Sequence, residues 1–103
     1  MNPETKIQNA AIDALNRRGC RVFNHTVGTF FTPDGQRIKI GNHGEADVWG
    51  VAPGGRAIFL EFKVPGKKPR PDQLQFLKVM KDMGAIADWC TSVEEAIRIV
   101  EET

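Results

Sequence analysis

The run Ala-Ile-Phe-Leu-Glu-Phe-Lys-Val at residues 57–64 is the most strand-like stretch of the chain. Side chains on a strand alternate between faces, so Ile58, Leu60 and Phe62 point one way and Phe59, Glu61 and Lys63 the other. A carboxylate and an amine thereby lie on one face, about 6–7 Å apart along the strand. Taken alone, Glu61 and Lys63 are better explained as an ordinary solvated ion pair. What surrounds them decides between packing and chemistry.

The rest of the chain reads as helix, strand, hairpin, two strands, helix, strand, helix: an α/β or α+β mixture on a mixed sheet. A helix is expected over residues 3–18, with Asn2 as N-cap, Pro3 in its first turn and Ile7, Ala11, Ala14 and Leu15 on one stripe. Arg17 and Arg18 suit its C-terminal dipole, and Gly19 its cap. A strand follows over residues 21–27. Residues 29–31 and 37–40 flank the turn signal Pro33-Asp34-Gly35. Gly41 and Gly44 break the chain before Asp47-Val48-Trp49, and Pro53-Gly54-Gly55 makes the next turn. After a loop at residues 65–71, a helix opens at Pro71-Asp72, lasts to about Met83 and ends at Gly84. Residues 85–90 form a short strand, and Ser92-Val93-Glu94-Glu95 is a capping box for the last helix.

With 103 residues and no repeat or linker, the expectation is one domain over residues 1–103. Fourteen Lys and Arg against thirteen Asp and Glu leave a net charge of +1, so any nucleic-acid surface must come from local clustering. No apolar run approaches the roughly 20 residues needed to span a bilayer. The N-terminus opens directly into a helix pattern without a signal-peptide layout. A cytoplasmic protein with reduced Cys20 and Cys90 is expected. Cys20, His25, His43 and Cys90 lack the paired spacing of structural zinc sites, and Cys90 reads as a small hydrophobe in a strand.

Asp47 changes the reading of Glu61. It begins an apolar strand after the turn Gly44-Glu45-Ala46, fourteen positions before Glu61, with the Pro53-Gly54-Gly55 turn between. A hairpin can bring both carboxylates to one face of neighbouring strands. There they repel and raise each other's pKa unless a cation lies between them. Mg²⁺ needs only one or two carboxylates and keeps several waters, so Asp47, Glu61 and the Phe62 carbonyl would suffice. Glu4 shares the helical face of Ile7, Gln8, Ala11 and Leu15. It is either a carboxylate favoured by the helix dipole or a further metal ligand, direct or through water. Gln73 falls on the stripe of Phe76, Leu77 and Met80, and Gln75 falls off it. A buried glutamine must find partners: nearby backbone, Lys63 or a substrate phosphate. Lys67, Lys68 and Arg70 follow Lys63 in a loop that is either simply solvated or holds phosphates.

Gly44-x-x-Asp47, then Glu61-x-Lys63, then Gln73 resembles the virus-type replication-repair nuclease (VRR-NUC) branch of the PD-(D/E)XK superfamily. The resemblance spans nearly the whole chain. It takes in Glu4, the stretch from Asn24 to Gly28, Gly41, Gly50, Phe76-Leu77 and Gly84, but Ala46 stands where the superfamily has proline. It implies a restriction-endonuclease-like fold, a central mixed sheet flanked by helices. It also implies Mg²⁺- or Mn²⁺-dependent hydrolysis of DNA phosphodiester bonds with no small-molecule cofactor. Asp47 and Glu61 would bind metal with Glu4 assisting, Lys63 would act on the attacking water, and Gln73 would support them. Stand-alone members resemble phage proteins acting as homodimers on branched DNA. Two other readings are a non-catalytic DNA binder of the same fold and a structural partner in a phage replication complex. The latter would use an apolar patch drawing on Trp49, Trp89 and Phe30-Phe31.

Overall fold

In the computed structural model, which describes residues 2–25, 28–42 and 44–103, the Asn2 side chain accepts from the Thr5 amide at 2.7 Å and opens helix α1 (Pro3–Arg17). Strand β1 (Arg21–Asn24) follows. The strand expected over residues 21–27 is seen to Asn24, and Thr26 and Val27 lie outside the described residues, as does His43. Strands β2 (Gly28–Phe31) and β3 (Arg37–Ile40) form the expected hairpin, and the Gly35 amide closes its turn onto the Thr32 carbonyl at 2.9 Å. Then come β4 (Val48–Val51), β5 (Ala57–Phe62), α2 (Pro71–Asp82), β6 (Ile86–Cys90) and α3 (Val93–Glu102).

Strand β5 is two residues shorter than the sequence suggests. The Lys63 amide still donates to the Cys90 carbonyl at 3.0 Å, but the chain then turns, with the Lys67 amide closing onto the Val64 carbonyl at 3.1 Å. Pro65, having no N–H, cannot extend the ladder. At α3 only half of the capping box forms as expected. Ser92 Oγ accepts from the Glu95 amide at 3.1 Å, while the Glu95 carboxylate takes the amide and hydroxyl of Thr91, not the Ser92 amide.

The main sheet has the order β1-β4-β5-β6. Its first three strands are antiparallel neighbours, and β6 runs parallel to β5. Parallel neighbours need a crossover, which α2 supplies. The sheet is therefore mixed and flanked by helices, as expected from the sequence. Helices α1 and α3 cover one face, burying Ala11, Leu15, Ala96 and Val100 against Ile58, Leu60 and Phe62. Helix α2 covers the other, where Leu77 packs with Ala46 and Ala87 beside Trp49, Phe59 and Phe76. The two cores are the two faces of β5 predicted by alternation. Ribbon β2–β3 is a separate two-stranded sheet.

Gly50 marks the closest approach of β1 and β4. A Cβ there would lie 2.2 Å from the Arg21 carbonyl oxygen and 2.6 Å from the Val22 Cα. Backbone cannot yield as a side chain does, so Gly50→Ala must part the two strands. We expect it to destabilise the protein by roughly 1–3 kcal/mol, the usual range for overpacking. Denaturant unfolding would check this, and an unchanged midpoint would show that the strands can separate at no cost.

Candidate active site

The register of β4 and β5 pairs Val48 with Leu60 and Trp49 with Phe59. One step further along, Asp47 faces Glu61 across the strand pair, on the face that carries Phe59 and α2. The apolar layer under α2 thus ends in carboxylates. Asp47 is fixed from both sides. Its Oδ2 accepts from the Phe62 amide at 3.0 Å, and its carbonyl accepts from the His25 amide at 2.7 Å. The turn before it rests on α2. Gly44 has φ +88, and a Cβ on it would lie 2.9 Å from the Asp72 carbonyl oxygen. Only glycine meets both the backbone angle and the close approach there.

Glu61 is 1% exposed. Its Oε2 accepts from Gln73 Nε2 at 2.9 Å and lies 3.4 Å from Lys63 Nζ. Its Oε1 is buried with no hydrogen-bond partner among the described residues. Burial, with Asp47 beside it, pushes the Glu61 carboxyl up to about 8 against the opposing pull of Lys63. Glu4 reaches the same end of the sheet from α1. Its carboxyl is also raised, first by burial and then by Asp47, while Lys63 pulls it down. Among the described residues no three His, Cys, Asp or Glu side chains gather closely enough to hold a metal by themselves.

Gln73 is buried and Gln75 exposed, as the helical stripe predicts. Its amide does two jobs. Oε1 accepts from the Arg70 amide at 2.9 Å, closing the first turn of α2, while Nε2 goes to Glu61. Its side-chain partner is thus Glu61 and not Lys63, because Gln73 at the start of α2 stands directly over β5. Lys67 and Lys68 are exposed on the loop after Lys63. Arg70 is exposed too, but its guanidinium is engaged by Asp72, with Nε 3.2 Å from Oδ1. The Phe62 side chain is buried in the opposite core, and its peptide unit touches the site through the amide bonded to Asp47.

Sequence reading missed a cluster behind Asp47. His25 Nε2 lies 2.9 Å from Glu45 Oε1, which also accepts from the Asn42 amide at 2.9 Å. These bonds hold the Glu45 carboxyl below its usual range. The His25 ring stacks on Trp49 at 4.0 Å. His25 and Glu45 are twenty positions apart on separate segments, and no spacing rule joins them. Trp49 is partly buried against Phe59 and Phe76 and Trp89 in the same core. Phe30 and Phe31 are exposed.

A solved structure named VRR_NUC domain matches this chain with a TM-score of 0.72 at 22% sequence identity, covering 98% of this chain and 97% of the other. The chain has the VRR-NUC fold. It agrees with the mixed sheet flanked by helices. No protein-family model matches the sequence, and no curated protein does.

Within the VRR-NUC fold, two carboxylates face each other, and burial and repulsion push the pKa of one of them, Glu61, upward. Its bare oxygen and the adjacent Asp47 make a donor set that suits a hard divalent cation. A cation between them would satisfy Oε1, relieve the repulsion and return Glu61 to its charged form.

Proposed function

We propose that the protein is a Mg²⁺- or Mn²⁺-dependent nuclease that hydrolyses DNA phosphodiester bonds, acting as a structure-selective endonuclease on branched DNA. The observation that carries this reading is the buried Glu61 Oε1, without a hydrogen-bond partner among the described residues, on a residue that the strand register sets opposite Asp47. An orphan carboxylate oxygen in the interior is costly unless something binds it. Asp47, Glu61 and the Phe62 carbonyl would hold the metal, with Glu4 contributing through water, since the side chains form no tight trio. When bound, such a cation polarises the phosphate and lowers the pKa of water.

The chain's own residues do the rest. Gln73 and the Phe62 amide hold the two carboxylates in place. Lys63, bonded to Glu61 and mostly shielded from solvent, presents its ammonium where the attacking water and the developing phosphorane charge would lie. Lys67 and Lys68, with Arg70 to the extent that Asp72 releases it, would grip phosphates beside the centre. A cytoplasmic homodimer would set two such centres on symmetric strands of a junction.

The test is incubation with duplex, flapped and four-way DNA in Mg²⁺, in Mn²⁺ or in chelator. Cleavage is expected with metal and not with chelator; inertness towards all three DNAs in both metals would end the nuclease reading. Asp47→Asn should abolish metal binding in calorimetry while the fold survives, since the asparagine oxygen can still accept from the Phe62 amide.

A further inference from the structure

The register of the β2–β3 ribbon sets Thr29 opposite Lys39, Phe30 opposite Ile38 and Phe31 opposite Arg37. Directly opposed residues share a face, and faces alternate along the strands. One face therefore carries Phe31, Arg37, Thr29 and Lys39, the other Phe30 and Ile38. Arg37 and Lys39 are exposed, and neither has an ion-pair partner among the described residues. Neither β2 nor β3 contains an acid. The nearest, Asp34 in the turn, is engaged by the Thr32 hydroxyl, which lowers its carboxyl pKa. Phe31 is 69% exposed, a flat apolar ring standing beside a guanidinium.

The root of the ribbon adjoins the carboxylate centre. His25, just before it, donates its amide to the Asp47 carbonyl and hydrogen-bonds Glu45 through its ring; Asn42, just after it, donates its amide to that same Glu45. Both ends of the ribbon are thus fastened to the turn that delivers Asp47. From that root the four-residue strands extend roughly 13 Å at about 3.3 Å per residue.

A ring flanked by cations fits one ligand well. Bases inside a duplex bury their flat faces against each other, whereas an unpaired base offers a face to stack on, with phosphates close by for Arg and Lys. We propose that the β2–β3 ribbon is an arm for single-stranded nucleic acid. Phe31 stacks on an unpaired base, and Arg37 and Lys39 hold the flanking phosphates, bringing the unpaired part of a branched substrate beside Asp47 and Glu61. The proposal deepens the nuclease reading and rests on it for the identity of the substrate.

The test is fluorescence anisotropy in chelator across a salt series, using a single-stranded oligonucleotide, a blunt duplex and a forked duplex. Wild type is expected to prefer single-stranded and forked DNA. Phe31→Ala should weaken both by about tenfold, the loss expected for one stacked base, and leave the blunt duplex unchanged. Arg37→Ala with Lys39→Ala should reduce the salt slope on single-stranded DNA by about 1.4, at about 0.7 per phosphate contact. Equal affinity of wild type and Phe31→Ala for single-stranded DNA would overturn the proposal. So would a shift in the sedimentation of the free variants from dimer to monomer, which would make the ribbon a contact between two copies of the chain. Cleavage assays separate this idea from the activity it rests on. If wild type cuts forked DNA and the ribbon variants bind and cut it equally well, the arm fails and the nuclease stands. If wild type cuts nothing while Phe31→Ala still loses single-strand affinity, the arm stands and the nuclease fails.

Discussion

Lys63→Ala is expected to lower the single-turnover rate of DNA cleavage by roughly 10²–10⁴-fold, the range for a lost proton-transfer or charge-stabilising group. DNA affinity should stay within about twofold, because a contact made mainly in the transition state contributes little to the ground state. The amine lies 3.4 Å from Glu61 Oε2, so its removal also takes away a charge that favours ionised Glu61. Rates must therefore be compared at saturating metal. Lys67→Ala with Lys68→Ala should behave oppositely, weakening binding to all sequences and reducing the salt slope on duplex DNA by about 0.9 per contact. If Lys63→Ala cuts at near wild-type rate while binding DNA normally, the role assigned to Lys63 is wrong, and the mechanism with it.

The second large effect concerns the metal-free protein. Glu61 is pushed up to about 8 from an ordinary 4.5. Between those values the folded chain keeps a proton that the unfolded chain has released. Raising pH through that window therefore favours unfolding: the Glu61 contribution is fully present at and below about pH 4.5 and is lost progressively up to about pH 8. Each unit of such a shift is worth about 1.4 kcal/mol. The fall should thus be on the order of a few kcal/mol, or roughly 10–25 °C in Tm for a chain of this size. The Glu4 carboxyl is raised as well and adds a fall of the same sign, whereas Glu45, Glu95 and Glu101 are shifted downward, so their contributions change at more acid pH. The Cys90 thiol is pushed up to about 12, beyond the window. Thermal melts from pH 5 to 8 in chelator should show the decline, Glu61→Gln should flatten it, and saturating Mg²⁺ or Mn²⁺ should remove most of it. A slope that survives Glu61→Gln would place its origin in another group.

The facing of Asp47 and Glu61 was legible in the sequence because two local rules fix it. A turn between two apolar runs sets the pairing, and strand periodicity sets the face. The stripe that buries Gln73 and exposes Gln75 was legible for the same reason, since helical periodicity is local. The atoms Gln73 bonds were not. They depend on how far the start of α2 reaches over β5, a tertiary distance that no pattern encodes. The same limit hid His25 and Glu45, which meet only because two remote segments converge at the root of the ribbon. The turn signal Pro33-Asp34-Gly35 also identified β2 and β3 as a hairpin without revealing that they stand apart from the main sheet, since a strand's sequence does not name its neighbour.

Gln73 has a further consequence for motion. Its side chain closes the first turn of α2 through the Arg70 amide and tethers Glu61 through its other end. Helix ends ordinarily fray at little cost. Here the turn cannot open by swinging Gln73 away without also releasing the carboxylate beneath it. Amide exchange at Arg70 and Leu74, whose N–H groups bond across that turn, should therefore run at the rate at which Glu61 is set free, so that a backbone clock at the surface times an event in the interior.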